Sequence, residues 1–376
     1  MKNINGIVIK VLRTLWNGLK IVLLVVLALE VISFAAMTVH NYILYGNVYS
    51  HVPVRYDPNT LFLMRDTNPS SEFNSVSNDP QLNRIVWMFG GSTVRCNAHW
   101  DPNQTLPALV SKFLNQKARP YHFTVVNFGE NGFNSLLESK YFQKAIADSH
   151  EPPNLVIFYD GANDCFQYAE YREPEGHVGY RRLKGFIEGY RMSWFGIFKP
   201  ISAAVYTSYT NEFIDRFRML GDPVDPDSPN LDKMALFTAR RFDHVAKVAN
   251  CYSSEFLLLW QPVLWVENCQ VGEAVNLEES TMFLDARKFP DLKQSVETTY
   301  NKLEHELLNK PYFVSLRNSL CGRQTACFQP DGIHLTCQGN EEMAQRIAEL
   351  IIGRFRDTLI SRAAKNWDQS FSGAVQ

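Results

Sequence analysis

Five short apolar runs, each separated from the next by a stretch with helical spacing, constrain what this chain can fold into more than any other feature. They lie at residues 84–89, 123–127, 155–159, 256–260 and 312–316. Short runs rich in Val, Ile, Leu, Phe and Trp, bounded by Gly, Asn and Asp, read as buried strands. Between and after them, residues 106–116, 135–148, 233–249, 292–308 and 339–360 place apolar side chains at helical spacing. In the last of these, Met343, Ile347, Leu350 and Ile351 share one face. Buried strands alternating with amphipathic helices predict an α/β domain in three layers, α/β/α, with a five-stranded parallel sheet covered on both faces. This domain is expected over residues 84–361.

The residues that follow the runs carry the chemistry. The first run ends in Gly90-Gly91-Ser92, the second in Asn127-Phe128-Gly129-Glu130-Asn131-Gly132 and the third in Asp160-Gly161-Ala162-Asn163-Asp164. In open α/β sheets ligands bind outside the carboxyl ends of the strands, so each run delivers polar residues to that edge. A fourth stretch, Asp331-Gly332-Ile333-His334, lies near the C-terminus. A serine hydroxyl is a poor nucleophile until a base takes its proton, and imidazole, titrating near neutrality, is the natural base. Asp331, three residues before His334, can accept from the other ring nitrogen and fix its tautomer. Each stretch also has a plain structural reading. Ser92 can cap a turn, Gly129 and Gly132 can permit one, Asn163 and Asp164 can cap a helix, and His334 can be a surface histidine.

Together the four stretches read Gly-Gly-Ser, Asn-x-Gly-x-x-Gly, Gly-x-Asn-Asp and Asp-x-x-His, in that order. In this the chain resembles the SGNH (GDSL-type) hydrolases, a family of lipolytic and carbohydrate esterases and related acyl transferases. The resemblance covers about residues 84 to 356. It implies a flavodoxin-like strand order of 2-1-3-4-5, with Ser92 and Asn163 facing each other across the switch point. It also implies a triad of Ser92, His334 and Asp331, and an oxyanion hole made by the Ser92 amide, the Gly132 amide and the Asn163 side chain. One residue departs from the family's commonest pattern: Gly91 stands where an aspartate is usual. Gly-Gly-Ser-Thr variants resemble those of membrane-anchored members and of polysaccharide O-acetyl transferases, and the step Gln261-Pro262, a candidate for the site wall, resembles one found in such anchored members. Arg95 can meet an anionic substrate or pair with a neighbouring acid. No Walker-type loop, zinc motif or flavin fingerprint occurs, so neither cofactor nor metal is expected.

The first 20 residues carry Lys2, Lys10, Arg13 and Lys20 and no acid, and residues 21–39 are apolar except for Glu30, Ser33 and Thr38. That length suits a spanning helix, and the basic residues before it put the N-terminus in the cytoplasm. The expected organisation is a cytoplasmic N-terminus and anchor at 1–40, a loop connector at 41–83, the α/β domain, and a polar tail at 362–376. Two other readings are a signal peptide cleaved near Ser33-Phe34-Ala35 and a buried core helix. Glu30 is the awkward residue, because a carboxyl at mid-membrane costs a few kcal/mol and such residues often face a partner.

Residues 166–232 break the strand–helix rhythm with many aromatics and the turn-rich stretch from Gly221 to Asp227. They read as an insertion, either a lid or membrane-facing cap or a helical excursion without catalytic part. The net charge of −2 leaves no electrostatic footprint for nucleic acid. Of the seven cysteines none forms a Cys-x-x-Cys pair. Outside the cytosol some are expected to pair, with Cys321–Cys327 and Cys251–Cys269 as candidate bridges. The sequence thus points to a single-pass membrane esterase facing the periplasm or another non-cytosolic compartment. Its substrate would be an acylated small molecule, glycan or lipid. An O-acyltransferase with the same triad and a non-catalytic envelope scaffold are the rivals.

Overall fold

The structure, a computed structural model, describes residues 2–45, 54–64, 70–95, 101–192, 199–214, 222–279 and 290–355. Cys96, the end of the last predicted helix at 356–360 and the tail at 362–376 lie outside the described residues. The chain forms two compact units, Pro53–Val178 with Asp222–Gln376, and Met1–Val52 with Gly179–Gly221. In chain order the elements are α1 (Lys2–Tyr45), β1 (Val54–Asp57), β2 (Leu61–Met64), β3 (Asn83–Gly90), α2 (Ser92–Arg95) and α3 (Leu106–Lys117). Then come β4 (His122–Gly129), α4 (Ser135–Asp148), β5 (Leu155–Asp160), α5 (Ala162–Tyr171), α6 (Tyr180–Met192) and α7 (Lys199–Tyr206). The series closes with α8 (Pro229–Cys251), β6 (Glu255–Trp260), α9 (Glu273–Glu279), α10 (Pro290–Leu307), β7 (Phe313–Ser315) and α11 (Cys337–Phe355).

The larger unit is built on five parallel strands in the order β4-β3-β5-β6-β7, which is 2-1-3-4-5 counted within the sheet. The register decides where the site forms. Gly90 of β3 lies opposite Gly129 of β4 and Tyr159 of β5. Three strands therefore end level, and the residues that follow them emerge side by side at one edge. β5, the central strand, is buried at every position, which explains its uninterrupted apolar run.

Alternation along the strands sends different chemistry to the two faces. Met88, Val125, Ile157 and Leu257 join Val110 and Leu114 of α3 and Met343 and Ile347 of α11 in a mostly aliphatic layer. The opposite face is aromatic. Phe89 stacks between Phe128 at 4.7 Å and Phe158 at 5.1 Å, and Phe142 of α4 meets it edge-on at 5.7 Å. Fully burying side chains of this kind contributes roughly 2–3 kcal/mol each relative to leaving them exposed.

Two expectations need correction. The stretch from 41 to 83 is not loop alone, because β1 and β2 form an antiparallel hairpin within it. Its turn is held by Asp57, whose Oδ1 accepts from the amides of Asn59 and Thr60, both at 2.9 Å. The apolar run Leu61-Phe62-Leu63-Met64 packs through Leu63 against Phe133 and Leu137, which is the reason it forms a strand.

The second correction concerns the cysteines. The bridge is Cys269–Cys321, with Cα atoms 5.3 Å apart, and not Cys321–Cys327 or Cys251–Cys269. β6 and β7 are neighbours, so the segments that follow them meet. Cys251 is free and exposed at the end of α8, and Cys327 is free and buried in the core. A bridge closing a separation of 52 residues restricts the unfolded chain by about 4 kcal/mol in the chain-entropy account. Replacing Cys269 and Cys321 together by serine should therefore lower the unfolding free energy by about 2–4 kcal/mol. Urea titration checks this: reductant should lower the wild-type midpoint and leave that of the double variant unchanged.

In the smaller unit α1 runs for 44 residues. Its segment Lys10–Val39 is long and apolar enough to cross a membrane, and only 11% of its most apolar part is buried. The low burial does not fit a core helix. The aromatic-rich insertion contributes α6, α7 and a further helical segment at 209–214 to this same unit.

Candidate active site

β3 turns into α2 through Gly91, whose carbonyl accepts from the amides of Val94 and Arg95, both at 3.1 Å. Ser92 is thereby the first residue of a helix that starts at the carboxyl edge. Asn127 fastens that helix to β4. Its Oδ1 accepts from the Gly129 amide at 2.8 Å, and its Nδ2 donates to the Val94 carbonyl at 3.1 Å. A Cβ on Gly129 would lie 2.3 Å from the Arg95 nitrogen, so the crossing of α2 over β4 requires glycine there. Thr93 Oγ donates to Gln261 Oε1 at 3.1 Å. Gln261 is buried and itself held, its amide on the Asp160 carbonyl and its carbonyl on the Tyr300 hydroxyl. The Gln-Pro step thus props the residue next to Ser92. Arg95 pairs with Glu130 at 3.3 Å. Burial raises the Glu130 carboxyl, and Arg95 partly offsets this.

His334 reaches Ser92 from the other end of the chain. Its Nε2 lies 2.8 Å from Ser92 Oγ, and its Nδ1 lies 2.6 Å from Asp331 Oδ2. The second carboxylate oxygen of Asp331 accepts from the amides of Ile333 and His334, both at 2.9 Å. Burial opposes ionisation of both groups, and each favours the charged form of the other. Burial raises the Asp331 carboxyl, but the His334 ring together with the Ile333 and His334 amides outweighs it and keeps Asp331 below the ordinary carboxylate range. Asp331 likewise outweighs burial and raises His334 above its ordinary value. The pair remains about a quarter exposed, at 27% and 26%, so a reacting group can approach it.

The loop carrying this pair is braced. The Gly332 carbonyl accepts from the Leu264 amide at 2.9 Å, and the Gln329 amide donates to the His334 carbonyl at 2.7 Å. Just upstream, Arg323 donates two parallel bonds to Glu279, at 2.8 and 2.7 Å, and one to Glu267 at 2.8 Å. All three side chains are almost fully buried. Glu279 Oε1 also accepts from the amides of Cys327 and Phe328. Burial pushes the Glu267 carboxyl up to about 7, and the Arg323 charge works against that rise.

The three strand ends converge at Gly91. A Cβ on Gly91 would stand 2.2 Å from Asn163 Nδ2 and 3.2 Å from the Phe133 carbonyl. Asn163 Nδ2 donates to that same carbonyl at 2.6 Å. Gly132, one residue earlier, has φ of +75°, a conformation glycine adopts freely, and its carbonyl accepts from Gln167 Nε2 at 2.7 Å. Gly91, where the aspartate of the commonest pattern would stand, is the residue that leaves room for Asn163. Asp164 does not cap its own helix. It accepts from the Ser135 amide at 3.1 Å and Oγ at 2.6 Å and so fixes the start of α4.

This packing gives an expected result. Gly91→Ala should displace Asn163, and both Gly91→Ala and Asn163→Ala should lower kcat by roughly 100- to 1000-fold, the cost of one oxyanion donor. Unchanged thermal unfolding of both variants, measured alongside, would separate this loss from misfolding.

The family model for GDSL-like lipase/acylhydrolase matches residues 86–347. The chain belongs to that family of SGNH-type hydrolases. Similar solved structures include an acetyl xylan esterase, AlAXEase, at 12% identity, covering 71% of this chain and all of that one with a TM-score of 0.41. Others are TesA, at 16% identity, 73% and 98% coverage and a TM-score of 0.36, and Est24, a carbohydrate acetylesterase from Sinorhizobium meliloti, at 15% identity, 72% and 99% coverage and a TM-score of 0.34. A search of curated protein sequences found no match.

The site residues expected from sequence, Ser92, Gly132, Asn163, Asp331 and His334, all lie in the larger unit, where contacts join Ser92 to His334 and Gly91 to Asn163. Sequence reading did not find the Glu267–Arg323–Glu279 cluster. The two glutamates lie 44 and 56 residues from Arg323, at the end of α9 and in a loop, where no periodicity signals the contact. Of the two sequence readings of Arg95, a ligand for an anionic substrate or a partner for a neighbouring acid, the structure shows the second, with Glu130.

Proposed function

We propose that the protein is a membrane-anchored serine esterase that removes an acyl group through an acyl-serine intermediate. The observation that carries this is the series Ser92 Oγ, His334 Nε2, His334 Nδ1 and Asp331 Oδ2, at successive separations of 2.8 and 2.6 Å. As Ser92 Oγ attacks the ester carbonyl carbon, His334 takes the hydroxyl proton and then gives it to the departing alkoxide. The acyl group is left on Ser92. His334 next takes a proton from water, whose oxygen attacks the acyl carbon, and the proton returns to Ser92 as the carboxylic acid leaves. Asp331 holds the ring orientation and stabilises the imidazolium. The Ser92 and Gly132 amides and the Asn163 amide group would hold the oxyanion.

Anchoring through Lys10–Val39 and a non-cytosolic catalytic domain are part of the same proposal. Lys2, Lys10, Arg13 and Lys20, all before the apolar run at 21–39, support this orientation, and the disulfide supports an oxidising compartment. A compartment reporter fused after Gln376 should be active only outside the cytosol, and cytosolic activity would contradict the orientation. Release of a soluble form starting near Met37 would instead favour cleavage.

An O-acyltransferase is the second reading, favoured by Gly91 in the Gly-Gly-Ser-Thr block. It shares the first half-reaction, with a glycan hydroxyl replacing water in the second. The two are separated by following one acyl donor with and without added glycan. Acid released at a glycan-independent rate identifies the hydrolase, and acylated glycan identifies the transferase.

A further inference from the structure

The insertion presents its side chains in an order opposite to that of a helix on a soluble core. On α6, Leu183, Phe186, Ile187 and Tyr190 follow helical spacing along one face, and all four are exposed. Gly185 and Gly189, spaced by four on the opposite face, are buried. A soluble amphipathic helix buries its large apolar residues. Helices packed in lipid bury small residues against one another and turn large ones outward. α7 repeats the pattern, with Ala203 buried and Ile201 and Val205 exposed. Lys184 and Arg191 border the apolar face of α6, the arrangement of a helix lying in a membrane interface.

A second observation fixes the depth. Glu30, the one acidic residue of the apolar segment, accepts from the Tyr209 amide at 2.6 Å, the Thr210 amide at 3.1 Å and Thr210 Oγ at 2.9 Å. The Phe34 and Tyr209 rings meet at 5.1 Å. Glu30 precedes Val39 by nine residues, which is about 13 Å along a helix. Where this segment spans a bilayer whose apolar core is about 30 Å thick, Glu30 lies near its middle. Whatever bonds Glu30 lies at that depth too.

We propose that α6, α7 and the helical segment at 209–214 insert into one leaflet of the bilayer alongside α1. Phe186, Ile187, Ile201 and Val205 then face lipid acyl chains, and Glu30 takes the amides that open the segment at 209–214. The inference rests on the anchor reading of Lys10–Val39. The smaller unit is thus a membrane-embedded module and not a single helix carrying a soluble domain. Its partners are the acyl chains of phosphatidylcholine and phosphatidylglycerol.

The test uses the full-length chain in vesicles of those two lipids. Cys96, Cys251 and Cys337 are replaced by serine, and an environment-sensitive fluorophore is placed through Ile187→Cys or Ile201→Cys, each variant verified by near-ultraviolet circular dichroism. Val25→Cys in α1 serves as the lipid reference and Lys293→Cys in α10 as the water reference. Quenching by doxyl-labelled lipid at Ile187 and Ile201 should come within about twofold of that at Val25, with iodide quenching well below that at Lys293, as expected at hydrocarbon depth. If Val25 is quenched by lipid while Ile187 and Ile201 behave like Lys293, the inference fails and the anchor stands. If Val25 also behaves like Lys293, the anchor reading fails and takes the inference with it.

Discussion

Ser92→Ala and His334→Ala should each lower kcat by about a million-fold, and the double variant should be no worse than either alone. The reason is the single hydrogen-bonded series at 2.8 Å between Ser92 Oγ and His334 Nε2. Without the base the hydroxyl keeps its proton, and without the hydroxyl the base has nothing to activate. Two independent contributions would multiply, whereas members of one machine do not. Rates of hydrolysis of a short-chain ester by the three variants check this. A double variant far slower than both singles would show that the two residues act separately.

Asp331→Asn should cost about 10⁴-fold in kcat, because the amide holds the ring in the wrong tautomer. It should also move the pH profile, in a direction that follows from the charges. Asp331 raises His334 above its ordinary 6.5 against the opposing effect of burial. Catalysis needs the neutral ring, so wild-type kcat/KM should fall as pH drops through a midpoint above 6.5. Without the carboxylate only burial remains, and burial favours the neutral ring. The residual activity of the Asn variant should therefore have its acid limb at lower pH than the wild type. An acid limb that stays in place would assign it to another group. Glu267, pushed up to about 7 by burial, is the one to test next, by Glu267→Gln.

Much of this site is written into local sequence because the strands end level. The runs 84–89, 123–127 and 155–159 each stop within one or two residues of the observed strand ends. Once β3 is placed between β4 and β5, the residues after them have one edge to share. Helical spacing also marks faces: Leu109, Val110 and Leu114 of α3 and Met343, Ile347 and Ile351 of α11 are buried, and Leu350 packs half-buried against the same core. What local sequence could not carry was contact between irregular segments. The true disulfide joins loops that become neighbours only because β6 pairs with β7. Local spacing pointed to Cys327, which is instead consumed by the core. The β1–β2 hairpin was hidden because four-residue strands beside turn formers look like loop until Leu63 finds Phe133. Glu30 was costly when read alone, and its partners at Tyr209 and Thr210 lie 179 and 180 residues away.

The central claim is that Ser92 is the nucleophile that becomes acylated. Its most direct test is reaction of the full-length protein with a fluorophosphonate, followed by mass mapping of the modified peptide. A single adduct on Ser92, formed by the wild type and lost in both Ser92→Ala and His334→Ala, is the predicted result. An adduct on any other residue, or an adduct on Ser92 at undiminished rate in the folded His334→Ala variant, would contradict it.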